Sequence, residues 1–323
     1  MKAIARAHTN VALIKYWGKR DETLMLPANS SLSLTVDQFY TTTALEWDES
    51  LQKDSFILNG KEVEDAKVSR FLSIMRQQFQ LTSFARISSE NHVPTAAGLA
   101  SSASAFAALA LAGSAAAGRN DDRKYLSKLA RLGSGSASRS LYGDLVIWEK
   151  GNRDDGEDSF GVPFTSELTK DLAIVVAVVS DEVKKVPSRL GMQSTVATSP
   201  FFPTWVQEAE KELVAMKEAF AAADFITIGE ITEHNAMKMH ATTLGANPPF
   251  TYFQPKSLQV MDKVRELRLQ GIAAYFTMDA GPNVKVLCER KNEKLVASEL
   301  TKVVKDVFIC HAGEEASVRI DEA

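Results

Sequence analysis

The hydrophobic pattern changes period several times along the chain, and each change marks an element. Residues 2 to 15 alternate and then run into an apolar stretch. LSLTVD and TTTALEW continue the period of two and predict strands between 32 and 47. In FILNGKEV the Asn59-Gly60 pair supplies two residues tolerant of positive φ, which is a hairpin signal. The period then turns helical: Val68, Leu72, Met75 and Phe79 share one stripe and predict a helix over 67–79. ARISSE reads as a strand. An Ala-rich helix running to about 118 follows, and then DDRKYLSKLARLG, a helix with an Asp cap and Gly133 at its end. YGDLVIWEKG returns as a strand.

The polar loop GNRDDGED, 151–158, opens a change of composition, and the expected domain division is 1–168 and 169–323. LAIVVAVVS is apolar and β-branched throughout, the signature of a buried strand. Trp205, Ala209, Leu213, Met216 and Phe220 fall on one face of an amphipathic helix. Further helices are expected over 226–239 and over 256–270, the second ending at Gly271. IAAYFT and VKVLCE read as strands joined by MDAGPN. Strands and helices mix in each half, so the fold class is α+β.

Composition narrows the function. A chain of 323 residues that is 45% hydrophobic can bury a sizeable core. A net charge of -4 argues against general nucleic-acid binding, and an anionic substrate would need locally gathered Lys and Arg. Cys288 and Cys310 have no zinc spacing, and His234 and His240 point to different faces of a helix, so neither a structural metal nor a disulfide framework is expected. The longest apolar run, LAIVVAVV, is too short to span a bilayer, and MKAIARAHTN lacks a signal-peptide core. A soluble, cytoplasmic protein is expected, without membrane or nucleic-acid partners.

The segment PTAAGLASSAS precedes the Ala-rich helix and carries no charge and little bulk. A helix N-terminus offers free N–H groups and about half a positive charge, which suits phosphate if side chains leave the backbone open. Ala96, Ala97, Gly98 and Ala100 do so, and Ser101 and Ser102 add hydroxyls. Close helix packing would select the same small residues, so the loop alone fits both readings. GxxxxGK[ST] and GxGxxG are both absent. Four neighbours add weight. NVALIKYWGKR gathers Lys15, Lys19 and Arg20 around an aromatic pair. GSGSASRS is a Gly/Ser nest bearing Arg139, a fork-shaped anion donor. KKVPSRLGM adds two lysines, a serine and an arginine. FTMDAGPNV sets Asp279 at a strand end before a Gly-Pro turn. Each has a plain alternative: a solvated turn, a loop or an Asx-type turn residue.

Together NVALIKYWGKRDE, LPANSSLSLT, PTAAGLASSASA, GSGSASRSLYG, KVPSRLGM and YFTMDAGPNVKVL resemble, in order and over nearly the whole chain, the diphosphomevalonate decarboxylases of the GHMP kinase superfamily. The resemblance implies a GHMP kinase-like α+β fold with the active-site cleft between two domains, the first binding ATP. It implies ATP-dependent decarboxylation of (R)-5-diphosphomevalonate through phosphorylation of its 3-hydroxyl, with Mg²⁺ and in a homodimer. Asp279 then matches the base or oriented acceptor. Lys15 lies near the reacting centre, Arg139 holds the carboxylate or aligns Asp279, and Asn10 fixes Arg139 or the carboxylate. The implied substrate pocket comprises Tyr16, Trp17, Gly18, Lys19, Arg70, Ser134, Gly135, Ser136, Ala137, Ser138, Arg139, Ser188, Arg189 and Met192. Lys67, Ala97, Gly98, Leu99, Ala100, Ser101 and Ser102 match nucleotide positions, and Lys184 or Lys185 closes over the phosphates. Ser101, Ser102 and Asp279 are the metal candidates. Two positions depart from the pattern: Asp144 replaces a common Gly, where positive φ would be tolerable for Asp, and Arg189 replaces a small hydroxyl residue of some members. Related readings on this fold are a phosphomevalonate decarboxylase, a mevalonate 3-kinase and a non-catalytic binding protein. The retained base and phosphate loop weigh against the last.

Overall fold

The computed structural model describes residues 1–92, 101–182 and 184–321, with Ser101 described through its backbone alone. The first half contains β1 (Lys2–Ile14), β2 (Lys19–Asp21), β3 (Leu26–Pro27), β4 (Ser31–Asp48), β5 (Ser55–Leu58), β6 (Lys61–Glu62), α1 (Ala66–Phe79), β7 (Phe84–His92), α2 (Ser101–Ala116), α3 (Arg123–Gly133), β8 (Leu145–Trp148) and β9 (Gly161–Phe164). The second contains β10 (Leu172–Val178), α4 (Ser188–Thr198), α5 (Phe202–Ala221), α6 (Phe225–Leu244), α7 (Pro255–Leu269), β11 (Ala274–Met278), β12 (Val284–Glu289), α8 (Glu293–Leu300), β13 (Asp306–Cys310) and β14 (Ser317–Asp321).

Two sheets organise these elements. The larger runs β14-β1-β4-β7-β5-β6, with β8 and β9 attached beside β4; the smaller runs β11-β12-β10-β13. Pairing is antiparallel except between β5 and β7. The chain's last strand returns to the first sheet, where Lys2 to Arg6 pair with Asp321 to Ser317. Within the stretch expected to hold separate strands, β4 is one strand of 18 residues. Its pairing with β1 shifts register between His8 and Asn10, so the strand passes from one core to another without ending.

Side-chain size explains the layers. Ala3, Ala5 and Ala7 of β1 leave room for the Ala-rich α2, and this core also takes in Phe71 and Met75 of α1 and Phe106 of α2. Beyond the register shift, Val11, Leu13, Leu32 and Leu34 pack with Leu213, Met216 and Phe220 of α5 and with Ile228 of α6. Ile174 and Val176 of β10 reach that second core, while Ala173, Val175 and Ala177 face a third under α7 and α8. Both faces of β10 are therefore buried, which explains its uninterrupted apolar run.

Local expectations meet the structure unevenly. Asn59 and Gly60 have φ of 50° and 77° and close the β5–β6 hairpin. Asp122 caps α3 through a 2.7 Å bond from the Tyr125 amide. Asp144 has φ 52°, the left-handed conformation its position was expected to allow. The helix expected over 226–239 is longer at both ends, because Asp224 caps it and its buried face continues through Met239, His240, Thr242 and Thr243. GSGSASRS is not an open nest: Gly135–Ser138 form a 3-10 helix. The helix α4 was not expected. Its buried residues are Gly191, Met192 and Thr195, while Leu190 and Val196 are exposed, so it carries little helical periodicity.

Candidate active site

A cavity of about 660 Å³ opens between the two halves of the chain. Among the described residues its lining includes Lys15, Lys19, Lys67, Arg70, Arg139, Lys184 and Arg189, against a single carboxylate, Asp279. Seven cations in the lining of one cavity contrast with the chain's net charge of -4. They make a field for a multiply charged anion.

Asp279 follows β11 and is held at its backbone: its carbonyl accepts a 2.8 Å bond from the Gly281 amide. Downstream, Asn283 ties the same turn to the end of β10, its Oδ1 accepting from the amides of Val179 (2.7 Å) and Ser180 (2.9 Å). The Asp279 side chain is partly exposed and meets two buried ammonium groups. Lys15 Nζ donates to Oδ1 at 2.7 Å, and Lys285 Nζ lies 3.2 Å from Oδ2. Burial alone would raise the Asp279 carboxyl, but the charges of Lys15 and then Lys285, with their hydrogen bonds, hold it well below the usual carboxylate range. Burial lowers the Lys15 ammonium, and Asp279 opposes that shift.

Lys15 is fixed from several sides. Its Nζ also donates to the Ala12 carbonyl at 2.8 Å, its amide donates to Asn235 Oδ1 at 2.7 Å, and its carbonyl accepts from Asn29 Nδ2 at 2.7 Å. Asn235 in turn donates to Glu212 at 2.8 Å. Arg139 is buried. Its Nη2 and Nε donate to Asn10 Oδ1 at 3.0 and 3.3 Å, and its Nη1 donates to Ser31 Oγ. Asn10 completes the clamp by donating to Ser140 Oγ (2.8 Å) and the Ser136 carbonyl (3.1 Å). Arg139 makes no ion pair with Asp279 within 4.0 Å, so it belongs to the wall rather than to the carboxylate's own contacts. Burial brings its guanidinium down to about 10, Asp279 opposing, and it stays charged at neutral pH.

The other end of the cavity is more open. Lys19 Nζ is buried and donates to Glu22 Oε2 at 2.8 Å. Arg189, at the start of α4, approaches the same oxygen at 3.6 Å. The Tyr16 hydroxyl is buried without a partner among the described residues, its ring held edge-on against Trp148 at 4.7 Å. Lys67 and Arg70 reach the cavity from the first turns of α1 and are exposed. Ser102, Ser134, Gly135, Ser136, Pro187, Ser188 and Met192 complete much of the wall.

Some expected residues stand elsewhere. Gly18, Ala137, Ser138 and Lys185 are not in the lining. Gly18, at φ 89°, is pressed by Phe202, whose ring would lie 2.4 Å from an added Cβ; its role here is backbone fit. Ala137 packs in the first core, Ser138 Oγ donates to the Gly135 carbonyl at 2.7 Å, and Lys185 is exposed. Ala97, Gly98, Leu99 and Ala100, and the Ser101 side chain, lie outside the described residues. Sequence reading missed Lys285, Asn29 and Asn235. Lys285 had a signal, a charge set between Val284 and the apolar residues Val286, Leu287 and Cys288.

Comparisons with known proteins bear on this geometry. Residues 7–161 match the model of a diphosphomevalonate decarboxylase-like N-terminal domain, and residues 174–321 match that of a mevalonate 5-diphosphate decarboxylase C-terminal domain. The diphosphomevalonate decarboxylase of Candida albicans is 40% identical over 321 residues, covering 93% of this chain and 88% of that protein. A solved structure described as MDDEF in complex with MVAPP, AMPPCP and magnesium superposes with a TM-score of 0.95 at 48% identity, covering 99% of each chain. The Enterococcus faecalis mevalonate diphosphate decarboxylase, from work on mevalonate diphosphate-mediated ATP binding, gives 0.94 at 47% identity, again covering 99% of each chain.

Proposed function

The chain belongs to the diphosphomevalonate decarboxylase family, and from that premise we propose that it converts (R)-5-diphosphomevalonate and ATP to isopentenyl diphosphate, ADP, phosphate and CO2, as a step of the mevalonate pathway. The observation that carries this reading is the cavity: seven cations around one carboxylate that is clamped between Lys15 and Lys285.

The residues fit the chemistry in two zones. A tertiary 3-hydroxyl needs an oriented acceptor, and Asp279 is the carboxylate the cavity offers. Its pKa lies far below neutrality, so it serves as a fixed acceptor and orienter more than as a strong base. Lys15 and Lys285 supply positive charge as a phosphoryl group arrives, the electrostatic part of phosphoryl transfer. Arg139, anchored by Asn10 and Ser31, is suited to hold the substrate carboxylate while the 3-phosphate departs. The buried Tyr16 hydroxyl, without a partner among the described residues, fits a diphosphate tail together with Lys19, Ser134, Ser136, Ser188, Arg189 and Met192. Lys67, Ser102 and Lys184 are assigned to the nucleotide, and Arg70 to substrate. ATP supplies the phosphoryl group, and Mg²⁺ neutralises its phosphates. Ser101 and Ser102 remain the metal candidates. Asp279 drops out of that set, because two ammonium groups within 3.2 Å of its oxygens oppose a divalent cation. The division into 1–168 and 169–323, a homodimer and a cytoplasmic location complete the reading. Among the described residues no helix is long and apolar enough to cross a membrane.

The test offers mevalonate, 5-phosphomevalonate and 5-diphosphomevalonate separately with ATP and Mg²⁺, and follows ADP and CO2 together. Equal ADP and CO2 from the diphosphate alone is the expected result. ADP without CO2 would make the protein a kinase, CO2 from the monophosphate would reassign the tail pocket, and no turnover would favour a binding protein.

A further inference from the structure

Two of the cavity's cations, Lys19 and Arg189, already face a carboxylate of the chain itself, Glu22. Its Oε2 bridges Lys19 Nζ at 2.8 Å and Arg189 Nη2 at 3.6 Å, joining β2 to the first turn of α4. The contact is not a chance meeting of mobile side chains. The turn carrying Glu22 is built: the Leu24 amide donates to Asp21 Oδ1 at 2.6 Å, and the Leu24 carbonyl accepts from buried Arg131 Nε at 3.1 Å. Arg131 is itself held by the carbonyls of Gly156 (2.9 Å) and Ser159. On the other side of the pair, the Lys19 side chain is 1% exposed, so its ammonium has little water to fall back on when no anion is present.

We infer that Glu22 is the internal counter-ion of the diphosphate seat: it neutralises Lys19 and Arg189 in the free protein and is displaced from them by the substrate's tail. This deepens the proposed function and rests on its assignment of Lys19 and Arg189 to the diphosphate. Glu22 is 41% exposed and lies outside the cavity lining, so its carboxylate can turn toward solvent while the buried lysine stays in place. A resident carboxylate sets a threshold. An anion must out-compete it at two cations at once, which a diphosphate can do and a singly charged anion cannot.

The sign of one effect separates this from a structural role. If Glu22 only holds Lys19 in position, Glu22→Gln weakens anion binding. If Glu22 is a competitor, the same change strengthens it. The experiment titrates inorganic pyrophosphate into the free protein by calorimetry, wild type against Glu22→Gln, with competition by 5-diphosphomevalonate as a control. Expected is a three- to tenfold tighter Kd in the variant, the range for an ion pair with one buried partner. KM for 5-diphosphomevalonate should fall by a similar factor. Unchanged or weaker pyrophosphate binding by a folded Glu22→Gln protein overturns the inference alone, provided the wild type binds pyrophosphate in competition with substrate. Wild type that binds none, or binds it without competition, overturns the pocket assignment and the inference with it. Arg189→Gln guards against misreading: it should weaken pyrophosphate binding and reduce the gain from Glu22→Gln in the double variant, whereas a full gain would remove Arg189 from the seat.

Discussion

The two ends of the cavity handle charge differently. Around Asp279 the charges are buried and bonded: Lys15 and Lys285, its two ion-pair partners among the described residues, are each 1% exposed, and nearby Arg139, bonded to Asn10 and Ser31, is 2% exposed. Around Glu22, Lys19 is buried and bonded at 2.8 Å, but Arg189 is exposed and stands 3.6 Å away, and Lys67 and Arg70 of the same cavity are exposed too. Burying charges costs several kcal/mol per ion, so such a cluster persists only when its geometry is good and its remaining groups are bonded. That cost brings a fixed field needing no rearrangement when charge develops. The open end gains the reverse: its charges can be re-solvated and exchanged, which suits arrival and release of an anion. Changes at the closed end should therefore act on kcat and stability, and changes at the open end on KM.

The largest effect expected from this contrast is Asp279→Asn. The amide keeps the shape but loses the acceptor, and kcat should fall by about 10³-fold or more, with substrate and nucleotide binding retained. Single-turnover phosphoryl transfer with equilibrium binding measured alongside would check it. Near-normal turnover would remove Asp279 from the chemistry. The variant also leaves Lys15 and Lys285 facing each other's charge, so its melting temperature should drop.

These two ends were not equally legible in the sequence. Asp279, Lys15, Arg139 and Asn10 lie in short motifs, and the structure brings all four to one cavity wall. Lys285 was passed over because VKVLCE was read only as a strand, although a lysine buried there needs a carboxylate partner. Asn29 and Asn235 gave less signal, since a buried Asn that clamps a backbone looks like any polar residue of a loop or helix. The helix α4 was invisible because its buried side is Gly, Met and Thr. The return of β14 to the first sheet was also out of reach: its five residues are all exposed, so no alternation announced a strand. Periodicity reveals elements that bury apolar stripes: at the open end it announced α1, which buries Phe71, Leu72, Met75 and Phe79, but not α4.

A second, smaller effect follows at Lys285. Lys285→Met should lower stability by on the order of 3 kcal/mol, because it leaves Asp279 with one ammonium instead of two, and should reduce kcat by about 10²-fold. The pH dependence carries the sign. In the wild type the Asp279 carboxyl titrates far below its unfolded value of about 4. Its contribution is therefore fully present above that pH and is lost as pH falls toward the folded value. Removing Lys285 raises the folded value and shrinks the contribution, so acid unfolding followed by circular dichroism should begin at a higher pH in the variant. An unshifted acid transition would mean that Lys15 alone holds the carboxylate.

The smallest effect is expected at Lys67, and it tests the open end. Lys67 is exposed and makes no ion pair within 4.0 Å among the described residues, so nothing buried is orphaned when it is removed. An exposed charge of this kind contributes up to about 1 kcal/mol and is screened by salt. Lys67→Ala should raise KM for ATP about threefold at low ionic strength, and the difference from wild type should shrink as salt is added. The same variant should not show the stability loss of Lys285→Met. A salt-independent loss located in kcat would place Lys67 with the closed end and erase the distinction between an exchangeable rim and a preorganised centre.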